Sequence, residues 1–210
     1  LQATDGTLWI ATLAGIDRYN GVDLYEYRIH KPQEGHISSS QILEIMESTS
    51  GEIYAATTDA GLLLFRESEN RFERVDFDSD PNEYGSRLST AHSSSAGELW
   101  MGYENGQVVR YSPASSAVSS IRFNDGQKIT GLGETHNGEM LAASANGGIF
   151  LVSMDMDSPR SIPLTQSCLD KFSELGEITA AAENLLWLAT RGDGPLLLDM
   201  TTGTCDLPES

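Results

Sequence analysis

Asp5-Gly6-Thr7-Leu8-Trp9-Ile10-Ala11-Thr12, followed two residues later by Gly15-Ile16-Asp17-Arg18-Tyr19, decides how this chain is read, because the chain repeats it with variations. The second copy is Gly51-Glu52-Ile53-Tyr54-Ala55-Ala56-Thr57 with Gly61-Leu62-Leu63-Leu64-Phe65-Arg66. The third is Gly97-Glu98-Leu99-Trp100-Met101-Gly102 with Gly106-Gln107-Val108-Val109-Arg110-Tyr111. Gly138-Glu139-Met140-Leu141-Ala142-Ala143 leads into Gly148-Ile149-Phe150-Leu151-Val152. A worn fifth copy, Leu185-Leu186-Trp187-Leu188-Ala189-Thr190, leads into Gly194-Pro195-Leu196-Leu197-Leu198.

The markers Trp9, Tyr54, Trp100, Leu141 and Trp187 are separated by 45, 46, 41 and 46 residues. A period in this range is the length of one four-stranded blade of a β-propeller. Three residues before each marker stands Gly6, Gly51, Gly97, Gly138 or Asn184, residue types that tolerate the positive φ of a tight turn. The expected fold is therefore all-β, a propeller segment of about five four-stranded blades. The first blade lacks its innermost strand, so the segment reads as part of a larger propeller. One region, 1–210, covers the chain, with repeats near 1–40, 41–86, 87–127, 128–174 and 175–210.

Period-2 alternation and turn residues place the strands. The second repeat gives 41–47, 52–57, 62–66 and 71–76; the third gives 87–93, 98–103, 107–111 and 117–122. The fourth gives 128–135, 139–143, 149–152 and 160–163; the fifth gives 177–182, 185–190, 196–199 and 204–207. The first repeat supplies 7–12, 16–19 and 24–29. A short helical turn is expected near 166–175. Connections between one repeat and the next are long at 30–40, 77–86 and 164–176 and short at 123–127. Together with the loop between the second and third strands of each blade they share one face, which is the candidate binding face.

Net charge of −18, from 31 acidic against 13 basic residues, argues against nucleic acid, whose phosphates require a basic patch. No apolar run reaches the roughly 18 residues of a membrane span, so membrane attachment is expected only through domains outside this segment. Cys168 and Cys205 form no metal or redox motif. They either pair, in an oxidising compartment, or remain two reduced packing cysteines.

Nucleophile-elbow, zinc-protease and phosphate-loop motifs are absent. Gly131-Leu132-Gly133 lies in a strand with no helix after it and is not read as a dinucleotide site. His30 and His36 share a loop but lack a regularly spaced third metal ligand. Asp76, Asp78 and Asp80 alternate as in calcium loops, but Pro81 stands where the turn glycine belongs. No cofactor and no metal are expected. The groups able to grip a polar ligand on the long-loop face are His30, Lys31, His36, Tyr84, Arg87, Lys171, Arg191 and Asp193.

Asp5 through Asn20, with its Gly-x-Leu-Trp core and terminal Arg18-Tyr19-Asn20, resembles the two-component regulator propeller repeat. The resemblance extends over all five copies, most loosely in the last. It implies an exported, periplasmic sensor region of a bacterial hybrid histidine kinase or membrane-bound diguanylate cyclase (GGDEF output), binding a small molecule, for example a saccharide, or a partner protein. A homodimer is compatible with it. The family motif builds blades, so Trp9, Trp100 and Trp187 are expected between sheets and not in a ligand site. Two other classes remain open: a propeller enzyme of the polysaccharide lyase or hydrolase type, which needs two acids meeting near the axis, such as Asp80 and Asp193, and a protein-interaction scaffold.

Overall fold

A computed structural model describes residues 1–30, 35–77, 87–123, 126–154, 158–172, 174–191 and 194–207. Five antiparallel sheets follow one another along the chain, each a meander. The first holds β1 (Leu8–Thr12), β2 (Gly15–Tyr19) and β3 (Leu24–Arg28), and the second holds β4 (Ile42–Glu47), β5 (Ile53–Thr57), β6 (Gly61–Arg66) and β7 (Arg71–Arg74). The third is β8 (Leu88–Ser93), β9 (Leu99–Tyr103), β10 (Gln107–Ser112) and β11 (Ala117–Arg122). The fourth is β12 (Ile129–Glu134), β13 (Met140–Ser144), β14 (Ile149–Val152) and the two-residue β15 (Arg160–Ser161). β16 (Leu175–Ala182), β17 (Leu185–Thr190), β18 (Leu196–Asp199) and β19 (Thr204–Asp206) complete the fifth. The helical turn α1 is confined to Gln166–Leu169, capped by the Thr165 hydroxyl, which accepts from the Cys168 N–H.

The strands thus lie where the alternation places them, and the first sheet has three strands, with Gln2 bridging to Leu8 ahead of β1. The first strands of successive sheets stand side by side, β4 against β8, β8 against β12 and β12 against β16, which makes them the inner strands around an axis. This is a β-propeller segment.

The turn that leads into the second strand of the blade is built the same way in the first four sheets, the first of which has only the Gln2 bridge ahead of it. The N–H of Gly6, Gly51, Gly97 and Gly138 donates to the carbonyl three residues back, at 2.9, 2.9, 2.9 and 3.0 Å. All four glycines sit at φ between +78° and +87°, where a β-carbon is strained. Asn184 departs from the expectation drawn from sequence, since its φ is not positive. In the fifth sheet a bulge between Ala180 and Ala182 takes up the slack and a two-residue turn suffices.

Four apolar clusters fill the spaces between neighbouring sheets. Trp9 packs toward Ile53, Ala55 and Phe72 of the second sheet, and Trp100 toward Leu132 and Met140 of the fourth. The marker position therefore points at the following blade. Trp187 corrects the expectation of core packing: it is 37% exposed against 3% for Trp9 and 4% for Trp100, because its side of the last sheet meets no further sheet among the described residues. The mirror effect appears in β1. Leu8 and Ile10 are 38% and 47% exposed, whereas their equivalents Leu99 and Met101 are fully buried by the preceding sheet.

Between sheets, polar clamps supplement the apolar wedge. The Glu47 carboxylate accepts from the Thr4 N–H and hydroxyl at 2.9 and 2.6 Å. The Glu134 carboxylate likewise accepts from the Ser95 N–H and hydroxyl at 2.8 and 2.7 Å, between the third and fourth sheets. Both acids occupy the same register at the end of an inner strand. Charge-assisted hydrogen bonds at a solvated edge are worth about 1 kcal/mol, so Glu134→Ala is expected to cost about that much, read as a shift in urea midpoint without change in slope.

Cys168 of α1 and Cys205 of β19 are joined by a disulfide, with Cα atoms 4.9 Å apart. The bond ties the connection between the fourth and fifth sheets to the outermost strand of the fifth.

Candidate functional site

The residue immediately before each inner strand is Gln41, Arg87, Lys128 or Glu174. Their backbone carbonyls all accept the same hydrogen bond, from Thr58, Glu104, Ala145 and Arg191 N–H respectively, at 3.0, 3.0, 2.8 and 3.1 Å. The register holds four long side chains in equivalent places around one mouth of the axis, on the long-loop face. Neighbouring groups interact: an Arg87 N–H donates to Gln41 Oε1 at 3.5 Å, Arg87 faces Glu104 at 4.0 Å, and Arg191 faces Glu174 at 3.5 Å.

A cleft of ≈ 320 Å³ opens in this mouth between the third, fourth and fifth sheets. Its polar walls are Ser89, Lys128, Thr130, Glu174, Thr190 and Arg191. The Ser89 hydroxyl is spent on the carbonyls of Gly102 and Ile129, at 3.0 and 2.6 Å. The Thr130 hydroxyl, by contrast, is buried and has no hydrogen-bond partner.

Deeper along the inner strands lie Glu44, His92, Glu134 and Glu177. Although Glu44 still touches water, surrounding protein raises its carboxyl pKa, and the like charge of Glu177 adds to the effect. Burial lowers the pKa of His92, while Glu134 and Glu177 act in the opposite direction. A histidine whose folded pKa is depressed binds more protons when unfolded, so stability is present above its unfolded value and is lost as pH falls through the window beneath about 6.5. Replacing His92 with Gln is expected to flatten the decline in melting temperature between pH 7 and pH 5.

Of the eight residues singled out from sequence, the five that are described are not gathered at one place. Arg87 and Arg191 belong to the axial mouth. His30 is exposed at the end of the outer strand β3. His36 bridges in parallel to Arg28, and its carbonyl accepts from Phe72 N–H at 2.9 Å. Lys171 stands at the perimeter, donating to the Cys205 carbonyl and lying 3.9 Å from Asp206. Lys31, Tyr84 and Asp193 lie outside the described residues, as do Asp78 and Asp80 of the calcium-like alternation. Among the described residues no group of three or more His, Cys, Asp or Glu is placed to hold a metal. No described helix is long and apolar enough to cross a membrane. Motif reasoning does not reach Lys128, Thr130 and Glu174. The signal for them is the repeat register itself, at the start of each inner strand.

A second cleft, of ≈ 260 Å³, lies between the first two sheets and is lined by Asp5, Glu47, Glu52, Glu67 and Arg18. Its arginine is already engaged, with the guanidinium 5.3 Å from the ring centres of Trp9 and Phe65 and 3.7 Å from Glu67.

No family model and no curated protein matches the chain. Solved structures do share its fold. The extracellular domain of the putative hybrid two-component system BT4673 from B. thetaiotaomicron superposes with a TM-score of 0.74 at 22% identity, over 94% of this chain and 26% of that one. The corresponding domain of BT3049 from the same organism gives 0.69 at 20% identity, over 96% and 26%. Virginiamycin B lyase from Staphylococcus aureus, in a catalytically inactive form with quinupristin, gives 0.71 at 16% identity, over 98% and 67%. The chain thus spans about a quarter of the two-component domains it matches. At these identities the likeness establishes the β-propeller fold, and its neighbours include extracellular domains of two-component systems, the class that the repeat resembles.

Proposed function

We propose that this chain is a non-enzymatic, ligand-sensing propeller segment in the exported, periplasmic part of a bacterial signalling receptor, feeding a histidine kinase or a diguanylate cyclase. The observation that carries the reading is the axial mouth: in four of the five sheets one polar side chain is held there in register by a repeated backbone hydrogen bond, and two of the four, Lys128 and Glu174, line a cleft of ligand size on the long-loop face. Two further facts support it. The fold is shared with extracellular domains of putative hybrid two-component systems, and the Cys168–Cys205 disulfide suits an oxidising compartment outside the cytoplasm.

A thermal-shift screen of the chain against neutral sugars, acidic sugars, amino acids and peptides tests it. A ligand held only by the folded state raises stability by about 2.7 kcal/mol at a hundredfold excess over its Kd. At least one class is expected to give a saturable rise in Tm. Silence across the panel, with the chain folded, would replace sensing by the scaffold reading.

The enzyme reading has a fold shared with a lyase behind it, and the inner strands carry two acids, Glu44 and Glu177, of which the second raises the pKa of the first by its like charge. Product formation from a polysaccharide that disappears in Glu44→Gln would favour it over sensing.

A further inference from the structure

We infer that the axial cleft is an anion site, taking the carboxylate of a small polar molecule on Lys128 and Arg191. The inference rests on the sensing reading above and gives it a chemical class.

In a chain of net charge −18, three cations, Arg87, Lys128 and Arg191, gather at one mouth of the axis. Arg87 is engaged by Gln41 and Glu104. Lys128 is different: among the described residues its ammonium has no ion-pair or hydrogen-bond partner, and it lines the cleft directly. A lone lysine at the rim of a concave wall raises the local concentration of anions.

The neutral hydroxyls of the wall do not compete for that anion: Ser89 is spent on two carbonyls, and the Thr130 hydroxyl is enclosed by protein.

Charge balance then fixes the kind of anion. The cations Lys128 and Arg191 against the acid Glu174 leave one positive charge on the cleft walls, which suits a monoanion better than a phosphate dianion. Arg191 already faces one carboxylate, that of Glu174, at 3.5 Å, a separation loose enough for a second carboxylate to share the guanidinium fork. A volume of ≈ 320 Å³ lies at the small end of ligand pockets. The ligand is therefore a small molecule bearing one carboxylate, such as an acidic sugar or a simple organic acid.

Binding is measured by titration of the chain, at fixed ionic strength because exposed charges are screened by salt. The probes are D-glucuronate, D-glucose, acetate and inorganic phosphate. D-glucuronate is expected to bind saturably and D-glucose, which lacks the carboxylate, not to bind. Acetate reports whether the carboxylate suffices without the sugar.

Two variants give opposite signs. Lys128→Gln is expected to weaken glucuronate about tenfold or more, the factor expected of one charge-assisted contact. Glu174→Gln, which removes a like charge from the wall, is expected to tighten it. Neither is expected to change the Tm of the unliganded chain greatly, so a merely structural role would not produce this pair of shifts. Glucuronate affinity unchanged in both variants, or phosphate bound more tightly than any carboxylate, would overturn the inference. Binding of glucose with equal or greater affinity would overturn it while leaving ligand sensing intact. Silence of these probes while another compound binds does the same, and silence of the whole thermal-shift panel removes both readings together.

Discussion

Gly131→Ala is expected to separate the fourth blade from the fifth, lowering unfolding free energy by upwards of about 3 kcal/mol, the top of the range for overpacking a tight interior. A β-carbon at Gly131 would sit 1.6 Å from the Gly176 carbonyl oxygen, and one at Gly133 would sit 2.0 Å from the Ile178 carbonyl oxygen. Both obstacles are backbone atoms of β16, so no side chain can swing aside, and the inner strand of the fifth sheet has to move. Neither glycine has a positive φ; the requirement is space alone. The contrast is Gly6, at φ +87°, where a β-carbon would meet nothing within 4 Å and alanine costs only the strain of a left-handed backbone, about 1 kcal/mol. Denaturant titration of the two variants side by side checks this. A Gly131→Ala protein no less stable than Gly6→Ala would show that β12 and β16 are not in backbone contact.

Removing the disulfide by Cys168→Ala with Cys205→Ala is expected to cost about 4 kcal/mol, since the bridge closes a loop across a separation of 37 residues and the chain-entropy relation gives that magnitude for such a loop. The loss should be concentrated in the fifth sheet. Its outer strand β19 is held by three pairings to β18, by the Lys171 contact to the Cys205 carbonyl and by this bond. Hydrogen exchange in β18 and β19 should therefore quicken before exchange in β5 or β9. Reductant should reproduce the loss in the parent chain and have no effect on the double variant. Equal stability with and without reductant would mean that the two thiols pack without bonding, which would withdraw one support for an exported location.

Both predictions concern features that local sequence signals could not convey. Gly131-Leu132-Gly133 reads along the chain as two weak positions in a strand, because glycine adds no packing area and costs conformational entropy. The reason for them lies in another strand more than forty residues away. Cys168 and Cys205 likewise leave two outcomes open in sequence, because pairing depends on Cα separation, which the chain order does not state. The eight candidate ligand-binding residues show the same limit. Arg87 and Arg191 reach the axis, whereas His30, His36 and Lys171 lie toward the rim, and loop length alone groups all five together. A propeller face is broad, so sharing a face does not bring side chains together.

The recurrence of glycine, aromatic and alternating apolar residues by itself determined the blade, its strand order and its four-stranded meander, since each copy contains its own turns and its own buried stripe. It also determined that the first sheet would have three strands. What only the tertiary structure decided is which equivalent positions converge. Radial packing carries the residue ahead of each inner strand to the axis and the outer strands to the perimeter, so Lys128, Thr130 and Glu174 come to line one cleft. Exposure was decided there too: Trp9 and Trp187 occupy the same place in the repeat, yet burial belongs to the sheet that lies next to them and not to the residue that repeats.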